Sequence, residues 1–359
     1  MGQGGAMGLF SRRTSSESDP HADAGPGDSG TGGPAPTPVG AFWDWWTEEG
    51  RHLDPSQAGP AHAALDGLLA AIDPDLTWHL GPGRTAQHRL TVSAGGLADA
   101  RPAAERWVRA APPADATWEY APAVEADPAA FEAVLEVDGA AVDLARVVLA
   151  VETDLEALRV HVGVHHPAFA ELPERVHGPL TFMVLDWALG EDDVARWVGR
   201  VEPLVDAPSP ARTVADLHAA VAVCAEERDT DVWSALSGQT AEGRPVFALA
   251  RTGLRWVDAP TLDVHHALVA TFDPDERGMP SPEVLGRLQA LDDSLTATIE
   301  PRGLVVATVT TDGTRTLHVY TDGEDQNAAD AITRWATTHG LEGTREPDPG
   351  WTRVRRLLG

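Results

Sequence analysis

"LVVATVTTDGTRTLHVYT", residues 304–321, decides how this chain folds. Two runs rich in β-branched residues flank Asp312-Gly313, a pair favoured in the tight type I′ turn because both central positions need positive φ. The spacing predicts antiparallel strands over 304–311 and 314–321. On the N-terminal side, Ser281-Pro282-Glu283 opens a helix that turns Leu285, Leu288, Leu291 and Leu295 inward. On the C-terminal side, Ala328, Ala331, Ile332 and Trp335 form a second helical stripe, closed by Gly340. Upstream, "PVFALART" (245–252) and "LDVHHALVATFD" (262–273) read as strands. The order β-β-α-β-β-α predicts an antiparallel sheet covered on one side by two helices, and it admits a ferredoxin-like arrangement.

The first half has a comparable order. In "AFWDWWTEEG", residues 41–50, Phe42, Trp43 and Trp46 share one helical face, and Trp45 widens that stripe to about 160°. Thr37-Pro38 supplies the cap and Gly50 closes the segment, so the aromatic face is expected to dock onto a core, with Trp45 the ring at its margin. Leu65, Leu68, Leu69 and Ile72 form a second stripe. "LTWHL" and "HRLTVSA" alternate like paired strands, Ala104, Trp107, Val108 and Ala111 suggest a helix, and Asp138-Gly139 marks another hairpin. After the strand "LRVHVGV", a helix carries Val176, Leu180, Met183, Val184 and Trp187 to Gly190, and Val194, Trp197, Val198 and Val201 suggest the next. The expected plan is a disordered Gly/Ser/Pro-rich tail (1–36), an acidic α+β domain (37–205), a linker with a helix capped by Thr213 (206–232), and a second α+β domain (233–359). Each domain is read as a mainly antiparallel sheet covered by helices.

Charge narrows the partners. All 27 basic residues are Arg, against 55 acids, for a formal charge of −28. A field of that sign repels phosphate backbones and disfavours direct nucleic-acid binding. Residues 41–230 hold 32 acids and 13 Arg, a net −19, whereas 231–359 hold 19 and 12, a net −7. A basic protein partner would therefore meet the first half. The single Cys224 excludes an internal disulfide, and no apolar run reaches the length of a membrane span. A cytoplasmic location without membrane association is the expectation.

In the last third, four motifs follow one another: Trp233 ahead of Gly243-Arg244-Pro245; Gly278-Met279-Pro280; Asp312-Gly313-Thr314-Arg315 leading to Tyr320; and Asp348-Pro349-Gly350-Trp351. In that order they resemble the family catalogued as domain of unknown function 695. The aromatic helix at 42–46, Ser93-Ala94, Ala111-Pro112 with Trp118 beyond, and Leu189-Gly190-Glu191-Asp192 look similar to the segment that often precedes that domain. The resemblance covers most of residues 41–353. It implies an α+β fold and carries no chemistry onto any residue.

The candidate site residues are Trp45, Glu191, Asp192, Asp193, His265 and His266. Adjacent strand side chains point to opposite faces, so neither His165-His166 nor His265-His266 can chelate one ion, and His161 and His165 lie about 13 Å apart. "DPDERGMPSPEV" from Asp273 fails as a calcium loop, because Arg277 and Val284 occupy ligand positions. Glu191, Asp192 and Asp193 open a helix, where carboxylates suit the positive dipole end. Cys224 sits on an Ala/Val-rich helix and reads as core. No nucleophile elbow, phosphate loop or zinc motif is present, so no cofactor and no metal is expected. The leading expectation is a non-enzymatic protein-binding or regulatory module with an acidic N-terminal face. The alternative is a small-molecule enzyme with an inter-domain site using His and carboxylates.

Overall fold

The computed structural model describes residues 37–55 and 59–358. The tail expected to be disordered, 1–36, lies outside the described residues. Within them the chain forms two compact units, 37–95 with 106–122, and 96–105 with 123–358.

The first unit opens on α1 (Pro38–Glu48). Thr37 accepts the Gly40 N–H at 3.1 Å, and Pro38 takes a position whose N–H has no helical partner. Phe42, Trp43 and Trp46 are buried as the stripe predicts. Gly50 is required by close approach: a Cβ there would lie 2.6 Å from the rings of Trp45 and Trp46. α2 (Pro60–Ile72), β1 (Thr77–Pro82), β2 (His88–Ser93), α3 (Arg101–Arg109) and β3 (Trp118–Ala121) follow. The division between the units falls inside α3. β1 and β2 run antiparallel, but β2 and β3 are parallel, joined by a crossover that contains α3. The core is aromatic. Trp43 stacks on Trp107 at 4.8 Å, and its indole N–H donates to the Trp107 carbonyl at 2.8 Å. Trp46 meets Trp118 edge-on at 4.9 Å and donates to the Tyr120 hydroxyl at 2.9 Å. Trp43 and Trp46 thus gain both area and a partner for the polar edge, whereas the buried Trp107 Nε1 has no partner among the described residues.

The second unit begins with the hairpin β4 (Val134–Val137) and β5 (Ala140–Asp143), turned by Asp138 and Gly139 at φ 52° and 81°. β6 (Val148–Asp154) and β7 (Arg159–His165) pair antiparallel; α4 (Glu174–Leu189) and α5 (Glu191–Trp197) lead to β8 (Val198–Leu204), parallel to β7. Here the structure corrects the expected helix over 194–201. Val198 and Val201 are strand residues, paired with Val160 and Val162. Glycine at 199 and proline at 203 disfavour helix, and a Cβ at Gly199 would meet the His161 ring at 2.6 Å. The region before the last sheet therefore holds several small sheets with two parallel pairs among them, not one antiparallel sheet. α6 (Val214–Glu227) starts at a reciprocal cap between Thr213 and Asp216, and it buries Leu217 and Cys224 in the same core as Leu149, Val160 and Val184.

The remaining elements are β9 (Ser234–Gln239), β10 (Pro245–Ala250), β11 (Val264–Thr271), α7 (Pro282–Ile299), β12 (Gly303–Thr311), β13 (Thr314–Thr321), α8 (Gln326–His339), β14 (Glu342–Pro347) and the short α9 (Arg355–Leu358). Six strands form one antiparallel sheet in the order β14-β11-β13-β12-β10-β9. The segment β11-α7-β12-β13-α8-β14 with the spatial order β14-β11-β13-β12 is a ferredoxin-like arrangement, extended at one side by β10 and β9. Asp312 and Gly313 turn β12 into β13 at φ 45° and 75°. One face packs Leu268, Leu317 and Val319 against Leu295 and Ile299 of α7 and Ile332 and Trp335 of α8. Leu285, expected inward, is 38% exposed, since it lies about 60° round the helix from Leu288. The other face is covered too, by Trp351, Val354 and Leu358 over Tyr320, Val306 and Ala250. Among the described residues, no helix is long and apolar enough to cross a membrane.

Candidate functional site

The three acids at 191–193 come together where α4 breaks into α5. Gly190 makes the break at φ 85°, and a Cβ there would sit 3.1 Å from the Ala126 nitrogen. Glu191 is buried, and its carboxylate accepts the N–H groups of Gly96 at 2.9 Å and Val124 at 3.1 Å. Asp192 receives Arg101 in a bidentate pair, with both bonds at 2.9 Å, and Arg101 also reaches Glu105 at 3.0 Å. Burial alone would lower the Arg101 pKa; the carboxylates of Asp192 and Glu105 together raise it. Asp193 pairs with Arg196. All three carboxylates are engaged in holding the chain.

Asp186, one turn earlier on α4, is the acid that sequence reading passed over. Burial, and then the neighbouring Glu191 charge, push its pKa up to about 7. A signal was available: an acid in the last turn of a helix opposes the helix dipole.

His265 and His266 lie on opposite faces of β11 and do not act together. His265 Nε2 meets His318 Nδ1 at 3.0 Å, with the rings stacked at 5.2 Å. Its buried Nδ1 has no hydrogen-bond partner, and Glu346 stands 3.9 Å away. His266 Nε2 meets the Thr321 hydroxyl at 2.9 Å. Burial lowers the pKa of His265 and carries those of His266 and His318 down to about 4, so these imidazoles are neutral at neutral pH. Beside His265, Tyr320 donates to Asp348 at 2.6 Å; that carboxylate also accepts the Thr352 and Arg353 N–H groups. Among the described residues, no group of three or more His, Cys, Asp or Glu is placed to hold a metal ion.

Trp45, in the other unit, is partly exposed and packs edge-on to Phe42 at 6.2 Å. The same unit buries Glu119, which sequence reading did not single out. It accepts the Thr85 hydroxyl at 2.6 Å, the N–H groups of Arg84, Thr85 and Ala86, and Arg89 Nε at 2.7 Å. Those bonds, the Thr85 hydroxyl first, hold its carboxyl far below the usual range.

A cluster of arginines forms around Asp258 in the second unit. Asp258 pairs with Arg196 and Arg228, and Arg228 lies 5.2 Å over the Trp197 ring. Arg255, 5% exposed, donates to the carbonyls of Ala157, Thr252, Leu254 and Leu358 at 2.7–2.9 Å. Burial, then the nearby Arg159 and Arg228 charges, lower its pKa to about 10. A cavity of about 310 Å³ is lined by Phe131, Leu144, Val147, Trp187 and Val214, with His218 turned to the Ala188 carbonyl at 2.7 Å.

Several residues of the four C-terminal motifs are fasteners. Gly313 donates to the Gly278 carbonyl at 3.0 Å, and Trp351 stacks on Tyr320 while donating to Leu262 at 2.8 Å. Comparison of the chain with protein-family models, with curated proteins and with solved structures gives no match.

Proposed function

We propose that this chain is a protein-binding module whose acidic first half, residues 41–230, meets a basic protein. One observation carries the reading: buried Glu119 and Glu191 are already matched, and most of the acid excess is on the surface. Glu119 and Glu191 are taken up by backbone N–H groups and Asp192 by Arg101. Glu132, Glu136, Glu156, Glu171, Glu174 and Glu202, by contrast, are exposed. Excess negative charge at a surface speeds encounter with a basic partner, and screening over about 8 Å at physiological salt makes that encounter salt-dependent. The test is affinity capture from a native lysate at low and moderate salt, using the full chain and a variant with those six glutamates changed to glutamine. Salt-sensitive proteins held by the native chain and lost by the variant support the reading; identical recovery by both sinks it.

Catalysis by His and carboxylates on a small molecule draws on a different observation, the Asp186 carboxyl titrating near neutrality. A general acid or base needs such a value. A metabolite thermal-shift screen with Asp186→Asn as the control tests it: a stabilising metabolite lost in the variant would favour it.

A further inference from the structure

The two edges of the six-stranded sheet are built differently. β14 carries Glu342, Arg345 and Glu346 and ends on Pro347, and such charges and prolines discourage another strand from adding. β9 carries no charge, and the uncharged run extends from Val232 to Ala241. Ala235, Ser237, Gly238 and Gln239 are exposed, as are Trp233 just before the strand (43%) and Phe247 opposite Ser237 (38%).

The ladder shows which backbone groups are spare. Thr240 donates its N–H to the Arg244 carbonyl at 2.8 Å, which marks 240 and 244 as a hydrogen-bonded pair. Antiparallel pairs alternate, so Gln239 and Pro245 form a non-bonded pair, as a proline without N–H requires. Along the register, Ser234, Leu236 and Gly238 turn their N–H and C=O groups to β10. Ala235, Ser237 and Gln239 turn theirs to the open edge.

From this geometry we infer that the β9 edge is a docking site for an extended segment of a basic protein, which adds as a seventh strand. The inference rests on the binding function proposed above and adds, just beyond residues 41–230, a strand-pairing contact for the same basic partner. Charge selects the occupant. A second copy of the chain, also at −28, is repelled, whereas a basic segment is attracted. Asp229 and Glu242 stand exposed at opposite ends of the strand, and the exposed Trp233 ring offers a face to an incoming arginine or lysine.

The experiment uses substitutions that act on the edge alone. Ser237→Pro removes one outward N–H and no ladder bond to β10, and proline is tolerated on an edge strand whose N–H faces solvent. Ser237→Thr keeps the N–H. The probe is a labelled synthetic peptide alternating arginine with valine and threonine, and its counterpart with glutamate for arginine, read by fluorescence anisotropy on the full chain. The basic peptide is expected to bind the native chain and Ser237→Thr, to bind Ser237→Pro about tenfold or more weakly, and to outcompete the acidic one. If Ser237→Pro melts early, Gln239→Pro, also outward-facing, replaces it. Equal binding to the native and proline chains, or no binding to the native chain, overturns the inference. So does a native dimer that Ser237→Pro makes monomeric, because the occupant is then a second copy. Lysate partners that the six-glutamine variant loses and the proline variant keeps would leave the proposed function standing and remove only the edge.

Discussion

Changing Asp186 to asparagine should make the protein more stable at alkaline pH and nearly leave it alone in acid. The native fold holds this carboxyl at about 7 against an ordinary value of 3.8, because of burial first and the Glu191 charge second. A raised folded value means the native state keeps a proton that the unfolded chain gives up. The group's contribution is therefore complete below about 3.8 and is lost as pH rises through about 7. Between pH 5 and pH 7 the loss runs at about 1.36 kcal/mol per pH step, about 3 kcal/mol in all. Asparagine has no proton to release, so its advantage over the native chain should grow by about that amount from pH 5 to pH 8. Urea unfolding of both chains, followed by tryptophan fluorescence at each pH, measures the difference with all other titrating groups common to both. A carboxyl-carbon NMR titration of Asp186 gives the pKa directly. A difference that stays constant across the range would refute the reasoning, since it would mean Asp186 ionises as an exposed aspartate does.

Trp46→Ala should cost about 3–5 kcal/mol, and more than Trp45→Ala, because Trp46 is 1% exposed and bonded to Tyr120 whereas Trp45 is partly exposed; thermal melts in the reverse order would overturn the helical phase. His266 and His318 have folded values near 4, below the ordinary 6.5, so the stability they carry is complete above 6.5 and lost as pH falls toward 4. His318→Asn should therefore flatten the acid limb of the stability curve, and an unchanged slope between pH 6 and pH 4 would count against a buried neutral imidazole. Gly190→Ala forces a side chain into φ 85° and against the Ala126 nitrogen, a strain of about 1–3 kcal/mol; a melting midpoint equal to the native one would contradict it.

The parts of the fold legible in sequence are those fixed by neighbours along the chain. Asp138-Gly139 and Asp312-Gly313 announce hairpins because two consecutive positive φ values are needed within two residues. The α1 stripe announces burial because the 3.6-residue period repeats within one turn and a half. Val194, Val198 and Val201 fit a helical stripe by spacing; Gly199 and Pro203 weaken it, and β7, about forty residues earlier in sequence, pairs Val198 and Val201 as strand. The candidate acids were legible as positions and not as roles. Glu191 is held by the N–H groups of Gly96 and Val124, and a backbone N–H has no sequence signature. The β9 edge lay in plain view as an uncharged run, but its meaning required knowing which strand ends the sheet.

The Arg255 tie has a consequence for how this protein can vary. Its guanidinium grips main-chain carbonyls at 157, 252, 254 and 358, joining three stretches of chain that are far apart in sequence. Every amino acid offers a carbonyl, so the tie asks nothing of the side chains at those four places and everything of the one at 255. Substitutions would be absorbed on one side and refused on the other. A contact of that kind leaves no correlated pair of positions to detect, however many variants are compared.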